Sequence, residues 1–163
     1  LELPTGIRDG TSSLGNFNAS TQFFQTQHHR PIVGGYLSRV SERRKREGRS
    51  APMMRLLLSL SEGSGPPPAA VVMEARAARE RFLARSCVRF VVVDKRRASL
   101  ELRRVASDVL SLMTIQEDDA YELLVPIEPP ACQPRQRPGW TFSAIVGGQP
   151  NGGDIPQPPA STP

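Results

Sequence analysis

Little in this sequence announces a reaction. Only two of its 163 residues are cysteine. Cys87 and Cys132 stand alone, with neither a metal-ligand spacing nor the density of a disulfide framework, so both are expected as free thiols. No apolar run approaches the roughly 18 residues that a membrane-spanning helix requires, and the chain by itself is expected to be soluble. It begins at Leu1 rather than Met and has no basic, then apolar, then small-residue leader, which suggests a piece of a longer protein. Gly-x-Ser-x-Gly, His-Glu-x-x-His, Cys-x-x-Cys and phosphate-loop patterns are all missing. A hydrolase or nucleotide-dependent enzyme is therefore not expected, and no cofactor or metal site is expected either. Asp118 and Asp119 form an acidic pair, but no further carboxylate or histidine recurs at a metal-binding spacing.

What is abundant is arginine and proline. There are 21 basic and 16 acidic residues, a net charge of +5, and only Lys45 and Lys95 among the cations are lysine. Residues 1–113 hold 19 basic and 10 acidic residues, whereas 114–163 hold 2 and 6. The basicity thus belongs to the first two-thirds. It peaks at residues 38–50, SRVSERRKREGRS, where six cations surround Glu42 and Glu47. That run reads as a solvated loop, or else as a patch meeting phosphate on anionic lipid or nucleic acid. It has no aromatic residue on which a base would stack, so nucleic acid is the weaker of those partners.

The hydrophobic patterning divides the chain into elements. LELP at residues 1–4 alternates and stops at a proline, as a short strand does at a rim. Residues 18–30 suit a helix up to Pro31, and residues 32–37 a strand around Gly34-Gly35. Ser50 is expected to cap a helix with Pro52 in its first turn and Met53, Leu56, Leu57 and Leu60 on one face. A single helix is expected over residues 69–85, with Val71, Ala75, Ala78 and Phe82 along a stripe. VRFVVV, residues 88–93, reads as a central strand covered on both faces. Asp94 behind it suits a turn that supports the next helix, although such strand ends also hold ligand-contacting groups. Ser99 is expected to cap that helix, with Leu102, Val105, Ala106, Val109 and Leu112 in its stripe. A final hairpin turns at Asp118-Asp119.

The expected fold is α/β: a small mixed sheet of about four strands flanked by helices, with a parallel first crossover. The domain is expected over residues 1–125. Residues 126–163 carry ten prolines and five glycines and are expected to form a disordered tail.

Three stretches in order, LELPTGIRDG, FFQTQHHRPIVGGYLSRV and VRFVVVDKRRASLELRR, resemble the soluble C-terminal segment of bacterial multi-spanning membrane proteins described as glycosyltransferase-like. These are of the C superfamily, which uses sugars linked to lipid phosphates. The resemblance covers residues 1 to about 125 and is most specific at Gln25-Thr26, His28, Pro31, Gly34-Gly35-Tyr36 and Ser38-Arg39. Phe23 and Phe24 stand where tyrosines are more usual, and His29 where glycine is, so the phenolic hydroxyls do not carry over. The resemblance implies a noncatalytic domain on the extracytoplasmic side of the bacterial cytoplasmic membrane. There it would support or gate sugar transfer from a lipid-linked donor, with the membrane-spanning portion of the same protein as its partner. Acidic catalytic groups would lie in loops of that membrane portion, not in this chain.

Two readings of residues 28–39 follow. Pro31 with Gly34-Gly35 makes a rigid corner. Alternatively His28, Arg30, Gly34, Gly35, Tyr36 and Arg39 form a ligand site, with arginine forks on phosphate or carboxylate and Tyr or His on hydroxyls. The rival function is a free-standing basic module that binds anionic lipid or nucleic acid through residues 39–49.

Overall fold

The computed structural model describes residues 1–9, 12–28, 31–36 and 40–132, without the side chains of Phe24, His28 and Tyr36. The chain forms one compact unit over Leu1–Gln133. The tail expected from Pro126 lies, beyond Cys132, outside the described residues.

Local signals build the helices. In α6, Leu100–Leu110, the extended Ser99 accepts the Leu102 N–H on its Oγ at 3.1 Å, satisfying one of the orphan donors of the first turn. Leu102, Ala106, Val109 and Leu110 are buried along one side, and the helix stops at Ser111 in the left-handed conformation. α3, Pro52–Ser61, starts on its proline and buries Met53, Leu56, Leu57, Leu58 and Leu60. Each fully buried leucine contributes roughly 1.5–3 kcal/mol. Its cap differs from the expected one: Ala51 precedes it, while Ser50 closes α2, Glu42–Ser50, and donates to Glu47 O at 2.9 Å. The single helix expected over 69–85 is two, α4, Ala69–Ala77, and α5, Arg79–Ser86. They part at Ala78, whose ψ of −2° leaves the helical well. Ala75 and Leu83 are their buried residues, while Val71 and Phe82 pack half-buried against the core.

The main sheet contains β1, Glu2–Leu3; β5, Val91–Asp94; β6, Leu112–Glu117; and β7, Tyr121–Pro126, in the order β1-β5-β7-β6. β1 runs parallel to β5, and the other neighbours are antiparallel. The fold is thus the mixed α/β sheet expected, with its first crossover parallel. The β6–β7 hairpin turns at Asp118, whose Oδ1 accepts the Ala120 and Tyr121 N–H groups at 2.7 Å. Those two bonds, Tyr121 first, hold its carboxyl below the usual aspartate value. Asp94 is the turn residue expected: its Oδ1 accepts the Arg96 N–H and its carbonyl the Ala98 N–H.

β5 is central, but its two faces are not buried alike. Val91 and Val93 are buried against α3 and α6 with Leu3 and Leu124, whereas Val92 is half-buried and Phe90 is 40% exposed. On the same outer face the register places Leu123 and Val125 of β7 and Met113 of β6, the last 52% exposed. The core cluster gathers Val91 and Val93 with residues of α3 to α6, while on the other face Phe90 and Val92 are less buried and Asp94 at the strand end is buried. A purely β-branched run cannot distinguish that from burial on both faces.

A second sheet of three short strands was not expected. It contains β2, Gly6–Arg8; β3, Ser13–Gly15; and β4, Gly35–Tyr36, in the order β3-β2-β4. Of the strand expected over 32–37, only the Gly35–Tyr36 pair is strand among the described residues. α1, Ser20–His28, covers the region expected to be helical.

The cysteines are a plain correction. Cys87 and Cys132 form a disulfide across a Cα–Cα distance of 5.0 Å. Antiparallel pairing sets Leu124 opposite Val91, so the chain leaving β7 travels toward the residues that precede β5, where Cys87 ends α5. Neither cysteine's sequence surroundings carry that long-range geometry.

Candidate functional site

The Gly34-Gly35 corner is built on Thr5 and Gly6, from which β2 sets out. Gly34 has φ +96°, and a Cβ there would sit 2.3 Å from the Gly6 carbonyl oxygen. Gly15, at φ +70°, would bring a Cβ to 2.2 Å from the Thr5 carbonyl oxygen. Only glycine permits both approaches. Thr5 itself is buried, its N–H donating to Ser61 Oγ at 3.0 Å, and Ser61 Oγ donates to Leu57 O at 2.7 Å. The small sheet is thereby tied into the last turn of α3.

Beside this corner lies a polar cleft of about 350 Å³, lined by Arg8, Asp9, Ser12, Ser13, Asn16 and Phe17 together with Gly15. Asp9, buried, shapes the turn: its Oδ1 accepts the Ser12 N–H at 2.7 Å and the Ser12 hydroxyl at 3.2 Å. Its Oδ2 faces Lys45 Nζ at 3.1 Å. Lys45 also binds Ser12 Oγ and, at 2.8 Å, Glu42. Glu42 and then Asp9 hold the Lys45 ammonium above the usual lysine value, and it stays charged. On the far wall, Arg97 Nη2 donates to Asn16 O at 2.9 Å and to Asn16 Oδ1 at 2.6 Å, fastening the cleft to the turn after β5. Glu62 accepts the Gly15 N–H at 2.8 Å and faces Arg49 at 3.6 Å.

Asp9 spends both carboxylate oxygens on positioning, so it is a brace and not a free base. Arg8 is exposed at the end of β2, and Ser12, Ser13 and Asn16 add hydroxyl and amide groups. Donors and acceptors of this kind suit phosphate oxygens and hydroxyls, and Phe17 supplies an apolar wall. Among the described residues, no three His, Cys, Asp or Glu side chains converge as a metal site would require.

The chain matches no protein-family model, no curated protein and no solved structure.

Of the six residues expected as a ligand site, Gly34 and Gly35 both take positive φ, and neither lines the cleft. Gly35 lies beside the Gln22 amide of α1, 3.2 Å from where its Cβ would be. Tyr36 extends β4 and His28 ends α1, in backbone terms. Arg30 and Arg39 lie outside the described residues, as do the side chains of His28 and Tyr36. The structure therefore supports the rigid-corner reading of the glycines. Asp9 and Gly15 mark turns in the sequence, but the cleft was not legible there as a site, although the Asp9-x-x-Ser12 spacing is the signature of a side-chain-bonded turn.

Proposed function

We propose that this chain is a noncatalytic α/β domain serving a membrane-embedded, glycosyltransferase-like portion of the same protein. It holds the polar end of a lipid-linked sugar in the Arg8–Phe17 cleft and so supports or gates transfer. The observation that carries the reading is that cleft, a mixed donor and acceptor pocket fixed on a glycine-tight corner. Its volume of about 350 Å³ lies at the lower end of small-ligand sites. The resemblance in sequence adds the class of parent protein and of ligand. The Cys87–Cys132 disulfide agrees with the extracytoplasmic side, since such bonds persist in oxidising compartments. No helix among the described residues is long and apolar enough to cross a membrane, so in this reading the anchor belongs to the membrane portion.

The test is calorimetric titration of the folded chain with a water-soluble, short-chain isoprenyl-phosphate glucose, with glucose 1-phosphate as the headgroup alone. Saturable binding is expected, weakened about 10-fold or more by Arg8→Ala, which removes a charge-assisted bond worth roughly 1.5–3 kcal/mol. Absence of binding, or equal binding by the variant, would contradict the proposal.

A further inference from the structure

The run at residues 38–50, read as a solvated loop or as a patch meeting phosphate, is for most of its length the helix α2, Glu42–Ser50. Its N-terminus is capped by Ser41, whose Oγ accepts the Arg44 N–H at 3.4 Å. No residue of α2 is buried. Helices that are polar all round need another reason to be there, because helices of about nine residues are marginal on propensity alone.

Its charges divide by what they reach. Lys45 and Arg49, four residues apart and so on one side, are the cations tied to other elements: Lys45 holds Asp9 and Ser12, and Arg49 faces Glu62. Lys45 and Gly48 are its two half-buried positions. Arg43 and Arg46 are exposed, Arg43 with 84% of its side chain in solvent and paired to the half-exposed Glu47 at 2.9 Å. Five cations and two carboxylates give the helix a charge of +3. Lys45 thus grips the body, Arg49 reaches Glu62 from the solvent side, and Arg43 and Arg46 are presented to solvent.

We infer that α2 is a docking helix for the anionic headgroup layer of a lipid bilayer. Guanidinium forks match phosphodiester oxygens in pairs, and basic residues at an anionic membrane surface contribute about 1 kcal/mol each, falling off within a Debye length. Two observations favour lipid over nucleic acid. Residues 38–50 contain no aromatic side chain on which bases would stack, and the disulfide belongs to an oxidising compartment. Because Lys45 touches Asp9 and Ser12 of the cleft wall, docking through α2 brings the cleft to the headgroup layer, where the polar end of a lipid-linked ligand resides. The docking itself rests on α2 alone and holds whether or not the cleft takes a sugar.

Co-sedimentation of the full chain with phosphatidylcholine vesicles, with and without phosphatidylglycerol, tests this. The chain is expected to partition onto the anionic vesicles, to leave them as salt is raised, and to ignore the zwitterionic ones. Arg43→Gln with Arg46→Gln, which spares the Lys45 and Arg49 tethers, is expected to weaken partitioning about 30-fold. Arg43→Lys with Arg46→Lys restores it, separating charge from any folding defect. Equal partitioning by wild type and the glutamine variant, binding to neutral vesicles, or binding to duplex DNA without binding to anionic vesicles would each overturn the inference. Failure here leaves the calorimetric test of the cleft untouched, since that test contains no bilayer.

Discussion

Replacing Cys87 and Cys132 together by serine is expected to lower the unfolding free energy by about 4 kcal/mol, and the melting temperature by roughly 10–15 °C. The estimate follows from the sequence separation of 45 residues: a cross-link over that span removes loop-closure entropy from the unfolded chain. The span encloses β5, α6 and the β6–β7 hairpin, so the bond restrains the last third of the domain. It also holds residues 126–131 across a second cleft, of about 560 Å³, that Leu83, Ala84 and Leu110 line from α5 and α6. Without it, Ile127 N–H to Ser111 O, at 2.9 Å, is the backbone bond that continues beyond β7. Thermal unfolding of the wild type with and without reductant gives the same comparison without mutation. A shift below about 2 °C in both experiments would mean that the cross-link adds nothing to the fold.

Gly34→Ala is expected to cost about 3 kcal/mol or more. At φ +96° an alanine carries a left-handed penalty of roughly 1–2 kcal/mol, and its Cβ meets the Gly6 carbonyl oxygen at 2.3 Å. That obstacle is backbone in the middle of the small sheet, so β2 and β4 must separate, at a further cost of about 1–3 kcal/mol. Gly48→Ala is the matched control. Its Cβ would meet nothing within 4 Å in the middle of α2, and it is expected to stabilise by about 0.5–1 kcal/mol. Chemical denaturation of both variants decides the matter. Similar midpoints would show that the corner is not the tight junction described.

The sequence made legible those parts of the fold that are written locally. Ser99 announces α6, Pro52 announces α3, and the acidic pair at 118–119 announces the hairpin, because caps, first-turn prolines and turn side chains act within a few residues. The four-stranded mixed sheet followed from them. Beyond the parallel first crossover, features set by long-range pairing were not legible. The disulfide exists because β7 runs antiparallel to β5, and the outer face of that sheet is only half-buried because the main core lies on the other side. β2, β3 and β4 are two or three residues each, too short for alternation to show. α2 has no apolar stripe, so periodicity could not mark it as a helix. In the site, the glycines were recognised as a corner, but the cleft beside them depends on Lys45 and Arg97, from two distant segments, converging on the stretch that holds Asp9 and Asn16.

The claim on which the rest turns is that the Arg8–Phe17 cleft receives a polar ligand. Backbone amide NMR during titration with the short-chain isoprenyl-phosphate glucose tests it residue by residue. The account predicts saturable shifts centred on Arg8, Ser12, Ser13 and Asn16, extending to Lys45 and Arg97, and lost in Arg8→Ala. Shifts that are absent, or that centre on the half-buried face of Val92, Leu123 and Val125, would contradict it.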